Sequence, residues 1–177
     1  EIYDLSNKPF ISCPRNILKK AVNYAKKNGY DEIKISPEME FYVLLEHGDQ
    51  EAKIVEQQGY FAPASLDDSK DYRKTLSEFL QSSGYNVKYH HHEVGLYQHE
   101  VEIGGLNALS AADYCIYFKY LAREAASLFN LLVTFMPKPF SDDAGNGMHA
   151  HLCFYKNNKN MFEDNSDDYR LSQTARY

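Results

Sequence analysis

The stretch from His90 to Glu100, HHHEVGLYQHE, concentrates residues that can do chemistry. It holds three consecutive histidines, a carboxylate at Glu93, a short turn, and then Gln98, His99 and Glu100. A strand that only packs would spend these positions on Val, Ile and Phe. The pattern predicts a strand ending near Val94, a turn through Gly95, Leu96 and Tyr97, and a second strand from Gln98. Glu93 and Glu100 would then face each other across a hairpin. Two carboxylates held that close repel unless a positive charge sits between them, and a metal ion is the natural occupant.

Other segments offer ligands for the same place. Residues 32–46, EIKISPEMEFYVLLE, alternate as a strand does. Met39, Phe41, Val43 and Leu45 fall on one face, and Glu38, Glu40, Tyr42 and Leu44 on the other. Taken alone, the two glutamates read as a solvent-exposed strand face. His149 follows a glycine-rich loop, SDDAGNGM, at the start of a predicted strand near Met148. His149, His151 and Cys153 share one face of that strand, and a lone histidine there is ordinarily structural. Together these residues are more specific: a Glu pair on one strand, a Glu pair on a hairpin and a strand histidine, all presentable on one sheet face. A mostly carboxylate set with one imidazole suits hard divalent ions, Mg²⁺ or Mn²⁺. Carboxylates enough for two or more ions are what phosphoryl transfer uses. A zinc hydrolase built on the histidine run is the weaker alternative, because zinc sites draw on tighter His/Cys sets.

The elements that must position these residues are also legible. Ile17, Leu18, Ala21, Val22 and Ala25 mark a helix face, with Pro14 in the first turn, Lys26 and Lys27 in the last and Gly29 at its end. Residues 47–68 are mixed, with GYFAP as loop or short strand. Ser69 is expected to cap a helix through about Ser83, with Tyr72, Leu76, Phe79 and Leu80 inward and Gly84 ending it. A long helix is expected from Ser110, with Ser110 and Asp113 as a capping box. Tyr114, Tyr117, Phe118, Leu121, Ala125 and Leu128 form its core stripe. LLVTFM, residues 131–136, reads as a buried strand, and Asn157 to Asn160 as a polar turn.

With 177 residues and a formal net charge of −6, the chain can bury a core and has no basic stripe for nucleic acid. Cys13, Cys115 and Cys153 lack motif spacing, which favours a reducing compartment. No apolar run has membrane-spanning length, so a cytoplasmic location is expected. Glu1 at the start, and RLSQTARY reading as the opening turns of a helix, suggest a piece of a longer protein.

The segments PEMEFYV, GYFAPASLDDSKDYRKTL, HHHEVGLYQHEVEI, FMPKP and GNGMHAHL, in this order and spacing, resemble the catalytic domain of glutamine synthetase. The resemblance runs from Pro14-Arg15 to the terminal SQTARY. It implies an α+β fold, a curved and mainly antiparallel sheet with helices packed on its outer face, of the glutamine synthetase/guanido kinase-like kind. Residues 1–177 would be part of that domain, with the N-terminal β-domain and the C-terminal part of the catalytic domain outside the chain. It implies one metal held by Glu40, Glu93 and Glu100, and another by Glu38, His149 and a carboxylate beyond Tyr177. No catalytic residue beyond these ligands is implied. Gly145 and Ala144 match glutamate-binding positions. His151, Cys153 and Lys88 fall where the family meets ATP. The implied reaction phosphorylates the side-chain carboxylate of glutamate with ATP, and ammonia then displaces the phosphate. The implied assembly is a double-ring homo-oligomer of the full-length protein, with neither nucleic acid nor membrane as partner. This fragment alone is expected to be inactive.

Four positions depart from the family. Ala144 replaces a usual Asn, Cys153 a usual Ser and Lys88 a common Glu, and Leu96-Tyr97 occupies a turn that is often small. Two alternatives therefore stay open: a ligase joining glutamate or another acid to an organic amine, and a non-catalytic metal-binding relative.

Overall fold

The computed structural model describes residues 1–45 and 59–176. Glu46, and the expected mixed segment as far as residue 58, lie outside the described residues. In chain order the elements are α1 (Pro14–Lys27), β1 (Glu32–Leu45), α2 (Lys70–Ser82), β2 (Val87–His92), β3 (Gln98–Ile103), β4 (Leu106–Asn107), α3 (Ala108–Ser127), β5 (Leu131–Thr134), β6 (Ala150–Lys156) and β7 (Lys159–Asn160). A short 3₁₀ turn covers Thr174–Arg176, where the sequence suggested a helix opening. The expected α+β class is what the chain has. The chain divides into two compact units: residues 1–36, 105–113 and 151–177, and residues 37–104 and 114–150.

In the first unit, α1 starts on Pro14 and ends with Gly29 at φ +88°, a conformation glycine adopts without steric cost. The opening residues of β1 pair antiparallel with β4, Lys34 opposite Asn107. β6 and β7 form a hairpin turning on Asn157 and Asn158, both at positive φ, as a two-residue hairpin turn requires. The start of α3 differs from expectation. Asn107, not Ser110, caps it: the Asn107 Oδ1 accepts the Ser110 N–H at 3.0 Å. Asp113 is instead paired with Arg15.

In the second unit, β1 lies between β3 and β5, antiparallel to both, and β2 forms a hairpin with β3. Met39, Phe41 and Val43 point into a core closed by α2 and α3. The Phe41 ring meets Tyr72 at 6.1 Å and Phe118 at 5.7 Å, and the Tyr72 hydroxyl donates to the Ala122 carbonyl at 3.1 Å. The expected α3 stripe is partly right. Tyr114, Phe118, Leu121 and Ala125 are buried, whereas Tyr117 and Leu128 are exposed and Ala122 and Ala126 take their places. β5 is shorter and wetter than the buried strand expected, with Leu132 exposed. Ser69 makes no side-chain cap on α2. Asp67 orders that turn instead, accepting the Ser69 N–H at 3.0 Å.

Candidate metal centre

Period-two alternation puts Glu38 and Glu40 on the face of β1 opposite Met39 and Phe41. That face is not solvent-exposed. From Ser36 to Val43 every residue is buried except half-buried Glu38. β3 then sets Glu100 opposite Glu40 and Glu102 opposite Glu38. The hairpin register differs from the expected one: Glu100 pairs with His91, and the Glu93 N–H bonds the Gln98 carbonyl at 2.7 Å. β2 ends at His92, and a β-turn closes through the Gln98 N–H and Gly95 carbonyl at 3.0 Å. Glu93 therefore lies two residues beyond His91 on the same face, diagonal to Glu100 rather than across from it.

The side chains still converge. Glu38, Glu40, Glu93, Glu100, His91 and His149 line one cavity of about 360 Å³, with Tyr60, Phe61, Tyr89 and Val94 completing its wall. No Lys or Arg is among these residues. One ligand-capable atom from each of His91, Glu93 and Glu100 lies within 4.8 Å of the others. His149, just before β6, holds Nδ1 at 3.0 Å from Glu38 Oε2 and 3.7 Å from Glu40 Oε1. The Glu38 N–H to His149 carbonyl bond, 3.0 Å, fixes that segment beside β1.

The electrostatics follow from this crowding. Burial pushes the Glu93 carboxyl up, and the charges of Glu100 and Glu40 push the same way against the Val94 N–H and His91. For His91, burial alone would lower the imidazole, but the hydrogen bond to Glu100 and the two neighbouring carboxylates outweigh it and raise it. The Tyr89 hydroxyl is pushed up to about 12, first by its hydrogen bond to Glu102.

Sequence reasoning missed His91. The ring stacks on Phe61 at 4.4 Å, with Nε2 3.5 Å from Glu100 Oε1. The same period-two rule was the signal, since only the middle histidine shares a face with Glu93. His90 and His92 face the helices instead, where Arg73 forms a buried ion pair with Asp67 and approaches His99 Nδ1 at 2.9 Å. Burial beside Arg73 drives His99 well below its ordinary range.

The loop before β6 is tied to the same cavity. Glu40 Oε2 accepts the Gly147 N–H at 2.8 Å and the Gln98 carboxamide at 2.9 Å. A Cβ at Gly147 would stand 2.8 Å from Glu40 Oε1. Ala144 is held through its backbone: its N–H bonds Asp143 Oδ1 at 2.7 Å, and its carbonyl accepts the Tyr42 hydroxyl at 2.5 Å. Gly145 presents its carbonyl to Gln98 at 2.9 Å. Lys88, on β2, is ion-paired with Glu102. His151 and Cys153 lie on β6 in the first unit, His151 exposed and the Cys153 thiol donating to Asn160 Oδ1 at 2.8 Å. The three cysteines are free thiols. Among the described residues, no helix is long and apolar enough to cross a membrane.

Comparison with known proteins places this geometry. The family model for the catalytic domain of glutamine synthetase matches residues 11–177. The glutamine synthetase of Pyrococcus furiosus is 40% identical over 156 residues, which is 88% of this chain and 35% of the relative. That of Thermus thermophilus is 34% identical over 177 residues, 99% of this chain and 40% of the relative. The chain thus spans well under half the length of these relatives. Among solved structures, Plasmodium falciparum glutamine synthetase superimposes with a TM-score of 0.83 at 29% identity, covering 97% of this chain and 40% of that one. A GmaS–ADP complex does so with a TM-score of 0.85 at 28% identity, covering 96% and 40%.

Proposed function

The chain belongs to the glutamine synthetase family through its catalytic domain, and from that premise we propose that the whole protein is an ATP-dependent carboxylate–ammonia ligase converting glutamate to glutamine. The observation that carries this reading is the cavity holding four carboxylates and two imidazoles, with no Lys or Arg in its wall among the described residues. Such a wall repels itself at neutral pH unless cations lie between its carboxylates, and its oxygen-rich donors fit Mg²⁺ or Mn²⁺. Glu40, Glu93 and Glu100 would hold one ion, and Glu38 with His149 another. The His91 ring next to Glu93 and Glu100 orients both carboxylates or joins them as a ligand. Bound there, divalent ions supply charge neutralisation for the phosphate oxygens of ATP.

The reaction this supports proceeds in two displacements. A side-chain carboxylate oxygen of glutamate bonds to the γ-phosphorus of ATP, the bond to the β,γ-bridging oxygen breaks, and ADP leaves. Ammonia then bonds to the acyl carbon, the carbon–oxygen bond to phosphate breaks, and phosphate leaves as the nitrogen loses a proton. The protein's part is positioning and exclusion of water, which would otherwise take the acyl phosphate. Tyr60, Phe61 and Tyr89 supply apolar wall beside the carboxylates. Gly145 and Ala144 border the glutamate, and Lys88 borders the nucleotide. The full-length protein would act in the cytoplasm as a double-ring homo-oligomer.

A second reading, an organic amine in place of ammonia, is favoured by Ala144. Its methyl offers no hydrogen bond, and both its backbone polar groups are already engaged. One experiment tests both readings: ADP release by the full-length protein with Mg²⁺, ATP and a panel of acids and amines. Release requiring glutamate and ammonium supports the first reading, and release requiring an organic amine supports the second. ADP release that no carboxylic acid stimulates contradicts both.

A further inference from the structure

Gln98 lies at the start of β3 and is 1% exposed, yet it is neither a metal ligand nor a core hydrophobe. Its carboxamide is fully used. The oxygen accepts the Gly95 N–H at 3.1 Å, which fixes which end of the amide is oxygen. The nitrogen then faces three acceptors: Glu40 Oε2 at 2.9 Å, the Gly145 carbonyl at 2.9 Å and Asn146 Oδ1 at 3.1 Å. One side chain thereby joins the hairpin turn, a carboxylate of β1 and the loop before His149. A Gln placed only to fill space would leave these groups to other partners. The Glu40 oxygen it holds also accepts the Gly147 N–H, and that N–H belongs to the same loop.

We propose that Gln98 is a positioning residue that sets the orientation of Glu40 and the Gly145–Asn146 loop together, so that metal affinity and acid-substrate affinity are coupled through one carboxamide. This rests on the proposed ligase reading. Outer partners of metal ligands commonly change metal affinity by about 10- to 100-fold when removed. A shared partner should also move the affinity for whatever the loop touches.

Two variants of the full-length protein test this. Gln98→Met keeps length and volume but removes both the donors and the acceptor. Gln98→Glu keeps the acceptor for the Gly95 N–H and removes the donors. Mn²⁺ binding is followed by electron paramagnetic resonance without substrates, and half-saturation for glutamate and ATP at saturating Mn²⁺. For Gln98→Met, the Mn²⁺ dissociation constant should rise about tenfold or more. In both variants half-saturation for glutamate should rise while that for ATP holds. A purely structural Gln98 would lower the yield or melting point of the variants and leave the affinities of the folded protein at wild-type values. That result overturns the proposal, as does failure of both variants to fold. If the wild-type protein itself binds no Mn²⁺, the ligase reading fails, a result distinct from unchanged affinities in the variants.

Discussion

Replacing Glu93 with Gln in the full-length protein should stabilise the metal-free fold and weaken its response to metal. Glu93 and Glu100 side chains are 13% and 8% exposed. Their ligand-capable atoms come within 4.8 Å of each other. At that separation, and an effective dielectric constant of about 20, two unit charges repel by about 3.5 kcal/mol. Water access and side-chain relaxation reduce this to about 1–2 kcal/mol of relief on removing one charge. Gln keeps an oxygen for the Val94 N–H, which bonds Glu93 Oε2 at 3.0 Å, so the turn is not disturbed.

The pH dependence has a definite sign. The Glu93 carboxyl is raised in the fold by burial, so it binds its proton more tightly folded than unfolded. Its charge therefore costs stability above the folded value, and that cost is lost as pH falls through it toward the unfolded value. His91, raised by Glu100 and Glu93, gains charge over the acid side and attracts Glu93, which favours the wild type there. The advantage of Glu93→Gln should thus be largest near pH 8.5 and shrink on acidification. Urea unfolding of both proteins without metal measures the difference, and repetition with Mn²⁺ measures the ligand term, which scales with occupancy of the native state. Wild type should gain clearly more stability from Mn²⁺ than the variant, which keeps only the ion held by Glu38 and His149. A variant less stable than wild type at pH 8.5 without metal, or equally stabilised by Mn²⁺, would refute the reasoning.

Two further outcomes are expected. Gly147→Ala places a Cβ 2.8 Å from Glu40 Oε1 and 3.1 Å from His149 Nε2, so Mn²⁺ affinity should fall about tenfold or more while the melting temperature changes little; an unchanged affinity, by calorimetry, would show that Glu40 has room to move. Arg73→Met leaves Asp67 buried without its cation and should cost about 3–5 kcal/mol in urea unfolding, of which a double variant with Asp67→Asn should recover a large part; a loss below about 1 kcal/mol would show that water reaches this pair.

The glutamate pair on β1 was legible because side chains alternate with a period of two, and that rule needs no knowledge of partners. The hairpin pair was legible only as composition. Its register depends on the turn, and the five-residue connection from Glu93 to Tyr97 places His91, not Glu93, opposite Glu100. The burial of Glu38 and Glu40 was invisible, since the elements covering their face come from distant parts of the chain. The same holds for Asp67, Arg73 and His99, whose contact spans 26 positions between Arg73 and His99. At the start of α3 two local caps competed, and Asn107 took the Ser110 N–H, leaving Ser110 inside the helix. Gln98 looked like one polar residue among several; its role depends on a loop that begins more than forty positions later.

The central claim is that this carboxylate cavity belongs to an enzyme that activates an acid through an acyl phosphate. The most direct measurement follows oxygen. The full-length protein is given Mg²⁺, ATP, ammonium and glutamate labelled with ¹⁸O in its side-chain carboxylate, and the released phosphate is analysed by mass. The account predicts that each phosphate formed with glutamine carries one ¹⁸O atom, taken from the carboxylate when its carbon–oxygen bond breaks. Phosphate without label, released alongside ADP, would contradict it.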